Sequence, residues 1–211
     1  MLNEQMKQFK SPGPDFRGAP FWAWNAKLEP EELIRQIRLM KEMGLGGFFM
    51  HARVGLNTEY LGKEWFECVK ACIAEAEKLG MNAWLYDEDR WPSGAAGSFV
   101  TREDRFKQKE LYPELLENME QSCGEGNTLA WYAVRLDGMK MISFHRIENP
   151  SETVLPPGGK LLRCCWRYAE KSSWFNGETY LDTMNEDAVK RFVEVTHEAY
   201  RREIGGKFGK T

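Results

Sequence analysis

Apolar runs of strand length alternate with helical periods along residues 19–86 of the chain. Residues 19–24, 46–50 and 81–86 are short apolar runs, and polar or charged side chains follow each of them. Between these runs, apolar positions recur every three to four residues from Pro30 to Gly44 and from Lys63 to Leu79, which predicts two helices that each bury one face. Strands and helices joined by short turns in this order favour parallel pairing, so the pattern predicts an α/β fold.

The pattern changes in the middle of the chain. Residues 101–121 are rich in charge and predict an exposed helix that Pro113 interrupts. Three runs with a period of two follow between Thr128 and Tyr168, separated by turn signals, and helical periodicity returns after Asn185, a favourable N-cap. We therefore expect the first βα units in residues 1–104, a β-rich insertion in 105–170, and a return to the α/β frame with a final helix in 171–211.

Chain length decides how the α/β pattern is interpreted. The alternation of strands and helices by itself leaves both a barrel and a doubly wound sheet open. A complete (β/α)8 barrel takes about 250 residues, whereas this chain has 211 and spends many of them on the insertion. The glycine-rich residues 205–209 suggest the exit from a helix towards a further strand. The expected fold class is therefore α/β, a partial (β/α)8 TIM barrel formed by its N-terminal strands and helices, with a β-rich insertion.

Composition and charge narrow the functional classes. The net charge is −3 and no basic block is present, which argues against a nucleic-acid partner. No apolar stretch approaches the roughly 18 residues of a membrane span, and residues 1–10 are polar without the apolar core of a signal peptide. The five cysteines show neither CxxC spacing nor a framework of pairs, which favours reduced thiols. We expect a cytoplasmic protein that does not contact membranes.

The polar residues that follow the apolar runs are the candidate site residues. The carboxyl ends of parallel strands lie at one edge of a sheet, where α/β proteins build their sites. Carboxylates next to an aromatic ring and arginines suit a polar, ring-shaped ligand such as a sugar. The expected catalytic residues are Asp87 and Glu88, and the expected substrate-binding residues are Trp24, Asn25, His51, Arg53, Asp89, Arg90, Trp91 and Asp182.

Asp87 and Glu88 follow one another where the third apolar run ends. Because side chains alternate along a strand, only one of the two can point at a ligand if the strand persists that far. We expect the other to form an ion pair with Arg90 or Arg53. Glycoside hydrolysis needs two carboxyl groups that flank the scissile bond, and the sequence offers candidates for one of them. Retaining and inverting chemistry both stay open.

Simpler structural roles compete with several of these assignments. His51 could bond a sugar hydroxyl or carry a proton, yet a single histidine at a strand end is often structural. Trp24 is as consistent with packing between strand and helix as with a sugar platform. Trp91 lies in a polar loop, where packing explains a large ring less well. The sequence shows no zinc-ligand spacing, nucleophile elbow or P-loop, and no metal ligand is assigned.

Four motifs occur in an order that resembles a known family. They are residues 20–25 (PFWAWN), 46–53 (GGFFMHAR), 86–94 (YDEDRWPSG) and 180–185 (YLDTMN). Together they resemble the N-terminal portion of the catalytic barrel of glycoside hydrolase family 106, the α-L-rhamnosidase-like enzymes. The resemblance covers most of residues 16–100 and 173–200, whereas the β-rich segment between them matches only in kind.

The resemblance implies a barrel domain within a larger enzyme that hydrolyses α-linked, rhamnoside-type sugars with paired acids. It also implies a calcium ion near the sugar and principal catalytic glutamates on later strands, so that this chain is an incomplete catalytic domain. Two alternatives remain: a non-catalytic carbohydrate-binding half-barrel, and a metal-dependent hydrolase that uses His51 and residues 87–89. The expected partners are a carbohydrate and, because open sheet edges favour association, a second copy or missing C-terminal domains.

Overall fold

A computed structural model of the chain describes residues 2–122, 124 and 126–210. The chain divides into two compact units. The first combines the residues up to Phe106 with those from Lys171 onward, and the second is Lys107–Glu170. The five described α-helices and a three-stranded sheet belong to the first unit, and a four-stranded sheet forms the second. No described helix is long and apolar enough to cross a membrane.

The first unit is built on a parallel sheet with helical crossovers. In chain order its elements are α1 (Leu2–Lys10), β1 (Phe21–Trp24), α2 (Pro30–Glu42), β2 (Gly47–Ala52), α3 (Lys63–Leu79), β3 (Asn82–Leu85), α4 (Glu186–Val195) and α5 (His197–Ile204). The strands lie in the order β1-β2-β3, and both neighbouring pairs are parallel. Pro30 begins α2, and Gly80 in a left-handed conformation ends α3. The two predicted crossover helices are confirmed.

The expected partial (β/α)8 barrel is wrong. The described residues form a three-stranded parallel sheet and a separate four-stranded antiparallel sheet, and neither is closed into a barrel. Alternating strands and helices predict parallel pairing, but closure depends on strand tilt and stagger and on pairing between the first and last strands. Those properties leave no periodicity in the sequence. The first unit is therefore a mixed α/β domain with an open sheet.

One face of the parallel sheet is covered by helices. Side chains alternate along each strand, and Trp22, Trp24, Phe48 and Met50 on this face are buried together with residues of α2 and α3. Trp24 packs edge-to-face against Trp65 of α3, with ring centroids 4.9 Å apart. The larger of the two hydrophobic clusters in the first unit lies between this face and the helices.

The opposite face carries a row of aromatic rings. Phe21 stacks on Phe49 with ring centroids 5.4 Å apart, and Phe49 stacks on Trp84 at 4.8 Å. Phe21 is 53% exposed, whereas its strand neighbour Trp22 is buried. This face therefore presents accessible aromatic surface.

The second unit is an antiparallel sheet. Its strands are β4 (Lys109–Leu116), β5 (Asn127–Asp137), β6 (Lys140–Ile147) and β7 (Gly159–Tyr168), arranged in the order β4-β7-β5-β6. The three predicted period-two runs are confirmed as β5, β6 and β7. The predicted helix over residues 101–121 is wrong because β4 occupies much of it. Pro113 fits β4 since an edge strand leaves one side of its backbone without ladder partners.

The described thiols are free. Cys68, Cys72, Cys164 and Cys165 form no disulfide, and Cys123 lies outside the described residues. Burial raises the pKa of the Cys68 thiol to about 11 and raises that of Cys72 further. Both thiols on α3 therefore belong to the packed core and are poor nucleophiles at neutral pH.

Candidate functional site

A long loop, residues 86–103, follows β3 and contains most of the candidate site residues. Glu88 lies at the centre of this loop, and only 2% of the residue is exposed. Its carboxylate accepts hydrogen bonds from five backbone N–H groups: Oε1 from Asp89 and Gly97 at 2.8 and 2.6 Å, and Oε2 from Gly94, Ala95 and Ala96 at 3.0, 2.6 and 2.7 Å. A buried carboxylate requires such donors in place of water. These contacts favour a positioning role for Glu88, and they occupy the place of the ion pair expected with Arg90 or Arg53.

The local sequence permits this tight wrapping. Gly94 has a φ of +134°, and a Cβ at this position would collide with the ring of Tyr180. Only glycine combines that backbone conformation with so close an approach. Tyr180 then donates a hydrogen bond from its hydroxyl to the Ser93 carbonyl at 2.7 Å, and the Ser98 hydroxyl donates to the Phe175 carbonyl at 2.9 Å. Residues near the chain's C-terminal third therefore fix the shape of the loop.

Asp87 lies on a cavity of about 330 Å³, while its neighbour Glu88 turns towards the loop backbone. The cavity is lined by Leu85, Tyr86, Asp87, His197, Tyr200 and Phe208. The walls are thus mostly apolar or aromatic, and Asp87 is the only carboxylate among them. Burial and the charges of Asp87 and Glu88 raise the pKa of Tyr86 to about 12, so its hydroxyl stays protonated at neutral pH. The cavity combines a hydrogen-bond acceptor with apolar surface.

His51, at the end of β2, contacts the backbone of the same loop. Its Nε2 lies 2.9 Å from the Arg90 carbonyl oxygen, and since a carbonyl can only accept, Nε2 carries the proton. Its ring is only 2% exposed and packs edge-to-face against Tyr86, with centroids 4.1 Å apart. Burial lowers the pKa of His51, and the charge of Arg53 acts in the same direction. These contacts favour a neutral histidine that positions the backbone of Arg90.

Trp91 forms the exposed aromatic rim of the loop. It is 49% exposed, and its ring lies nearly parallel to that of Tyr86, with a 14° interplanar angle and centroids 6.2 Å apart. Tyr86 also contacts Phe21 edge-to-face at 5.5 Å. Through Tyr86, the rim at Trp91 is continuous with both the Asp87 cavity and the aromatic face of the sheet.

Asp89 and Arg90 face a different part of the first unit. Asp89 accepts a hydrogen bond at 3.1 Å from the side-chain amide of Asn176, and burial raises the pKa of its carboxyl group. Arg90 lies on a second cavity of about 360 Å³, which we call the Arg90 cavity. It is lined by Arg90, Lys171, Ser172, Ser173, Asn176 and Gly177. The loop therefore separates two cavities of different chemistry.

The remaining predicted site residues have other surroundings. Trp24 lies in the helix-side core, which matches the packing alternative. Asn25 is exposed and Arg53 is half-buried, both directly after their strands. Asp182 lies in the turn before α4, where its carboxylate accepts a hydrogen bond from the Met184 N–H at 3.2 Å. The substrate-binding roles predicted for these four residues stay predictions.

Sequence reasoning missed residues that come from α5 and its surroundings. His197, Tyr200 and Phe208 line the Asp87 cavity, although their positions in the chain show only a helical period and a glycine-rich end. Tyr180 lies in one of the four motifs and received no role. Its ring lies beside Gly94 only in the folded chain, so its place in that motif is the one signal that the sequence offers. No local pattern connects His197 or Tyr200 with residues more than a hundred positions earlier.

The metal sites considered from sequence gain no support from the donor geometry. No group of three or more His, Cys, Asp or Glu side chains in the described part of the chain could hold a metal ion. Calcium takes six to eight oxygen ligands, and both oxygens of Glu88 already accept backbone hydrogen bonds. The described residues therefore bring together no acidic cluster of the kind that would supply the carboxylate ligands of the implied calcium ion. His51 uses Nε2 for a backbone carbonyl, which weakens the metal-dependent alternative.

Comparison with known proteins adds a structural likeness. No protein-family model matches the chain, and no curated protein matches it in sequence. Among solved structures, the chain is similar to the rhamnosidase from Novosphingobium sp. PP1Y, with a TM-score of 0.59 and 11% sequence identity. The match covers 94% of this chain and 38% of the rhamnosidase, so the chain spans well under half the length of that enzyme. At this identity the likeness concerns the fold alone.

Proposed function

We propose that this protein is glycoside hydrolase-like and recognises α-linked, rhamnoside-type sugars in the Asp87 cavity. The observation that carries the proposal is the composition of that cavity, in which one carboxylate is set among apolar and aromatic walls. Its volume of about 330 Å³ lies at the small end of the range for small-molecule sites. A monosaccharide is a ligand of suitable size.

The chemistry of a 6-deoxy sugar matches these walls. Such a sugar presents ring hydroxyls on one part and a methyl group on another, so it needs both hydrogen-bond acceptors and apolar surface. Asp87 can accept from two hydroxyls, while Leu85, Tyr200 and Phe208 offer contacts for the methyl group and the ring carbons. Trp91 and Tyr86 extend the aromatic surface for a following sugar. The fold likeness to a rhamnosidase supports the same ligand class.

Binding is the part of this function that the cavity supports best. Hydrolysis needs two carboxyl groups about 5–9.5 Å apart, and Asp87 is the only carboxylate among the lining residues. Glu88 has both oxygens engaged by backbone N–H groups, so its contacts favour organising the loop. A second acid would have to approach the bound sugar from elsewhere. Non-catalytic carbohydrate binding is therefore the second candidate function.

Calorimetric titration with methyl α-L-rhamnoside, compared with methyl α-D-glucoside, tests the proposal. We expect the rhamnoside to bind more tightly, and Asp87→Asn to weaken it about tenfold or more because a charged acceptor is lost. The control is Asp187→Asn, which neutralises an exposed acid in the first turn of α4 and leaves the cavity intact. Equal affinity for both sugars, or equal effects of the two substitutions, would contradict the proposal.

An assay with 4-nitrophenyl α-L-rhamnoside separates the two candidate functions. Release of nitrophenol that Asp87→Asn abolishes favours a hydrolase whose catalytic groups include Asp87. Binding of methyl α-L-rhamnoside without any release favours a non-catalytic carbohydrate-binding protein. Titration with methyl α-L-rhamnoside gives the fraction of the protein that binds the sugar. This fraction confirms that the preparation is folded, whether or not nitrophenol is released.

A further inference from the structure

An imidazole, that of His197, lines the Asp87 cavity. His197 begins α5 and Tyr200 follows it three residues later, so the two side chains lie on the same face of the helix, and both line the cavity. Tyr200 is 2% exposed and donates a hydrogen bond from its hydroxyl to the Tyr86 carbonyl at 3.3 Å. This contact anchors the helix face that carries His197 next to the end of β3.

Thr196, between α4 and α5, is fully buried and held by hydrogen bonds to both helices. Its N–H and its hydroxyl both donate to the Phe192 carbonyl, at 3.0 and 2.7 Å. Its own carbonyl accepts a hydrogen bond from the Tyr200 N–H at 3.0 Å. Because a hydroxyl has one proton, and that of Thr196 is used by the Phe192 carbonyl, the hydroxyl oxygen can only accept a further hydrogen bond.

The hydroxyl of Thr196 decides the tautomer of His197. Nδ1 of His197 lies 2.9 Å from the Thr196 hydroxyl oxygen, which can only accept, so Nδ1 carries a proton. In a neutral imidazole the other nitrogen, Nε2, then has a free lone pair. Nε2 makes no hydrogen bond with the residues that the structure describes, and His197 is exposed. His197 therefore offers a hydrogen-bond acceptor, whereas His51 has the opposite tautomer.

We propose that His197 is a second hydrogen-bond acceptor of the Asp87 cavity and binds a ligand hydroxyl through Nε2. Thr196 is then a positioning residue, which acts by fixing the tautomer of His197. The carboxylate of Asp87 and the lone pair of Nε2 both select ligands that donate hydrogen bonds, which suits a neutral sugar with several hydroxyls. This inference rests on the proposed function and deepens it, because it assigns a further binding residue to the same cavity.

Two amide replacements of His197 test the role of Nε2. The amide of asparagine takes the place of Nδ1 and can still donate to Thr196, whereas the longer glutamine brings its amide oxygen close to the position of Nε2. We expect His197→Asn to weaken the binding of methyl α-L-rhamnoside about fivefold, because one hydrogen bond is lost. His197→Gln should weaken it less. The control His145→Asn changes an exposed histidine of β6 and should leave the affinity unchanged.

Deoxygenated ligands identify the hydroxyl that His197 binds. The probes are the 2-deoxy, 3-deoxy and 4-deoxy forms of methyl α-L-rhamnoside. We expect one of them to bind the unmodified protein about fivefold more weakly than the parent sugar. The same probe should bind His197→Asn as tightly as the parent sugar does, because its protein partner has already been removed. If every probe loses as much affinity for His197→Asn as for the unmodified protein, the proposal is refuted.

NMR of the imidazole nitrogens tests the tautomer without any ligand. At about pH 8, where an ordinary histidine is neutral, we expect Nδ1 of His197 to be the protonated nitrogen. Thr196→Val removes the hydroxyl oxygen, so the Nε2-protonated tautomer should become more populated and the affinity for the rhamnoside should fall. Thr196→Ser keeps the hydroxyl and should preserve both. An Nε2-protonated His197 in the unmodified protein would overturn the proposal.

The outcomes separate failure of this role from failure of the proposed function. If methyl α-L-rhamnoside binds the unmodified protein and His197→Asn equally well, the role of His197 is refuted while the sugar cavity stands. If His197→Gln loses as much affinity as His197→Asn, the imidazole acts by its shape, and the acceptor role is again refuted. If methyl α-L-rhamnoside does not bind, the proposed function fails and this inference fails with it, whatever the tautomer.

Discussion

The two faces of the β1-β2-β3 sheet use similar residues for different purposes. On the helix side, Trp22 and Trp24 are buried against α2 and α3 in a continuous apolar core. On the other side, Phe21 remains half exposed, and the adjoining loop is held in shape by polar contacts of Glu88, His51 and Tyr180. The difference shows that aromatic content alone does not distinguish a buried sheet face from an accessible one. What distinguishes them is which layer covers each face.

Removing an aromatic ring should therefore have the largest effect on the covered face. We expect Trp24→Ala to lower the free energy of unfolding by about 3–5 kcal/mol, because it leaves a cavity between β1 and α3. Phe21→Ala, on the same strand but on the open face, should cost about 1 kcal/mol or less. Urea denaturation of both variants measures the difference. Equal losses would mean that the open face is covered as completely as the helix side.

The conformation of the loop, residues 86–103, should depend on the hydrogen bonds that the Glu88 carboxylate accepts. Glu88→Gln places an NH2 group against backbone N–H donors, so we expect a loss of about 2–3 kcal/mol in the free energy of unfolding. The matched substitution Asp87→Asn changes the neighbouring acid in the same isosteric way and should stay within about 0.5 kcal/mol. Thermal and urea denaturation of the pair measure this. A stable Glu88→Gln variant would show that the backbone contacts are not needed to order the loop.

Loss of a single neutral hydrogen bond should lower the free energy of unfolding less than loss of the contacts of Glu88 does. Tyr180→Phe removes the hydrogen bond from the hydroxyl to the Ser93 carbonyl at 2.7 Å but keeps the ring beside Gly94. We expect a loss of about 1 kcal/mol, the usual net contribution of such a bond. Hydrogen exchange of the Ala95 and Ala96 amides reports whether the loop opens more often. Unchanged exchange in Tyr180→Phe would separate this tyrosine from the ordering of the loop.

The smallest expected effect concerns pH. Burial lowers the pKa of His51 in the folded protein below its ordinary value of 6.5. The unfolded chain therefore binds a proton first as the pH falls, so the contribution of His51 to stability is lost below about pH 6.5. His51→Gln should flatten this part of the pH profile, measured by urea denaturation between about pH 7.5 and 5.5. An identical slope in the variant would assign the pH dependence to other groups.

The candidate site was only partly accessible from the sequence. The stretch from Tyr86 to Gly97 was identified because charge and a glycine-rich turn directly follow an apolar run. The different surroundings of Asp87 and Glu88 could not be read from that pattern, since β3 ends at Leu85 and strand alternation no longer applies beyond it. The role of Glu88 depends on a backbone conformation that brings five N–H groups to one carboxylate. That conformation is a property of the whole loop.

Local side-chain spacing is sufficient to predict two crossover helices, the strands beside them, and the period-two strands of the second unit. Each of these follows from side-chain spacing within one segment, which sequence periodicity records directly. Three features follow from the folded chain alone: the parallel sheet stays open, helices cover one of its aromatic faces, and α5 completes the Asp87 cavity. These features depend on contacts between residues far apart in the chain, and such contacts leave no period in the sequence.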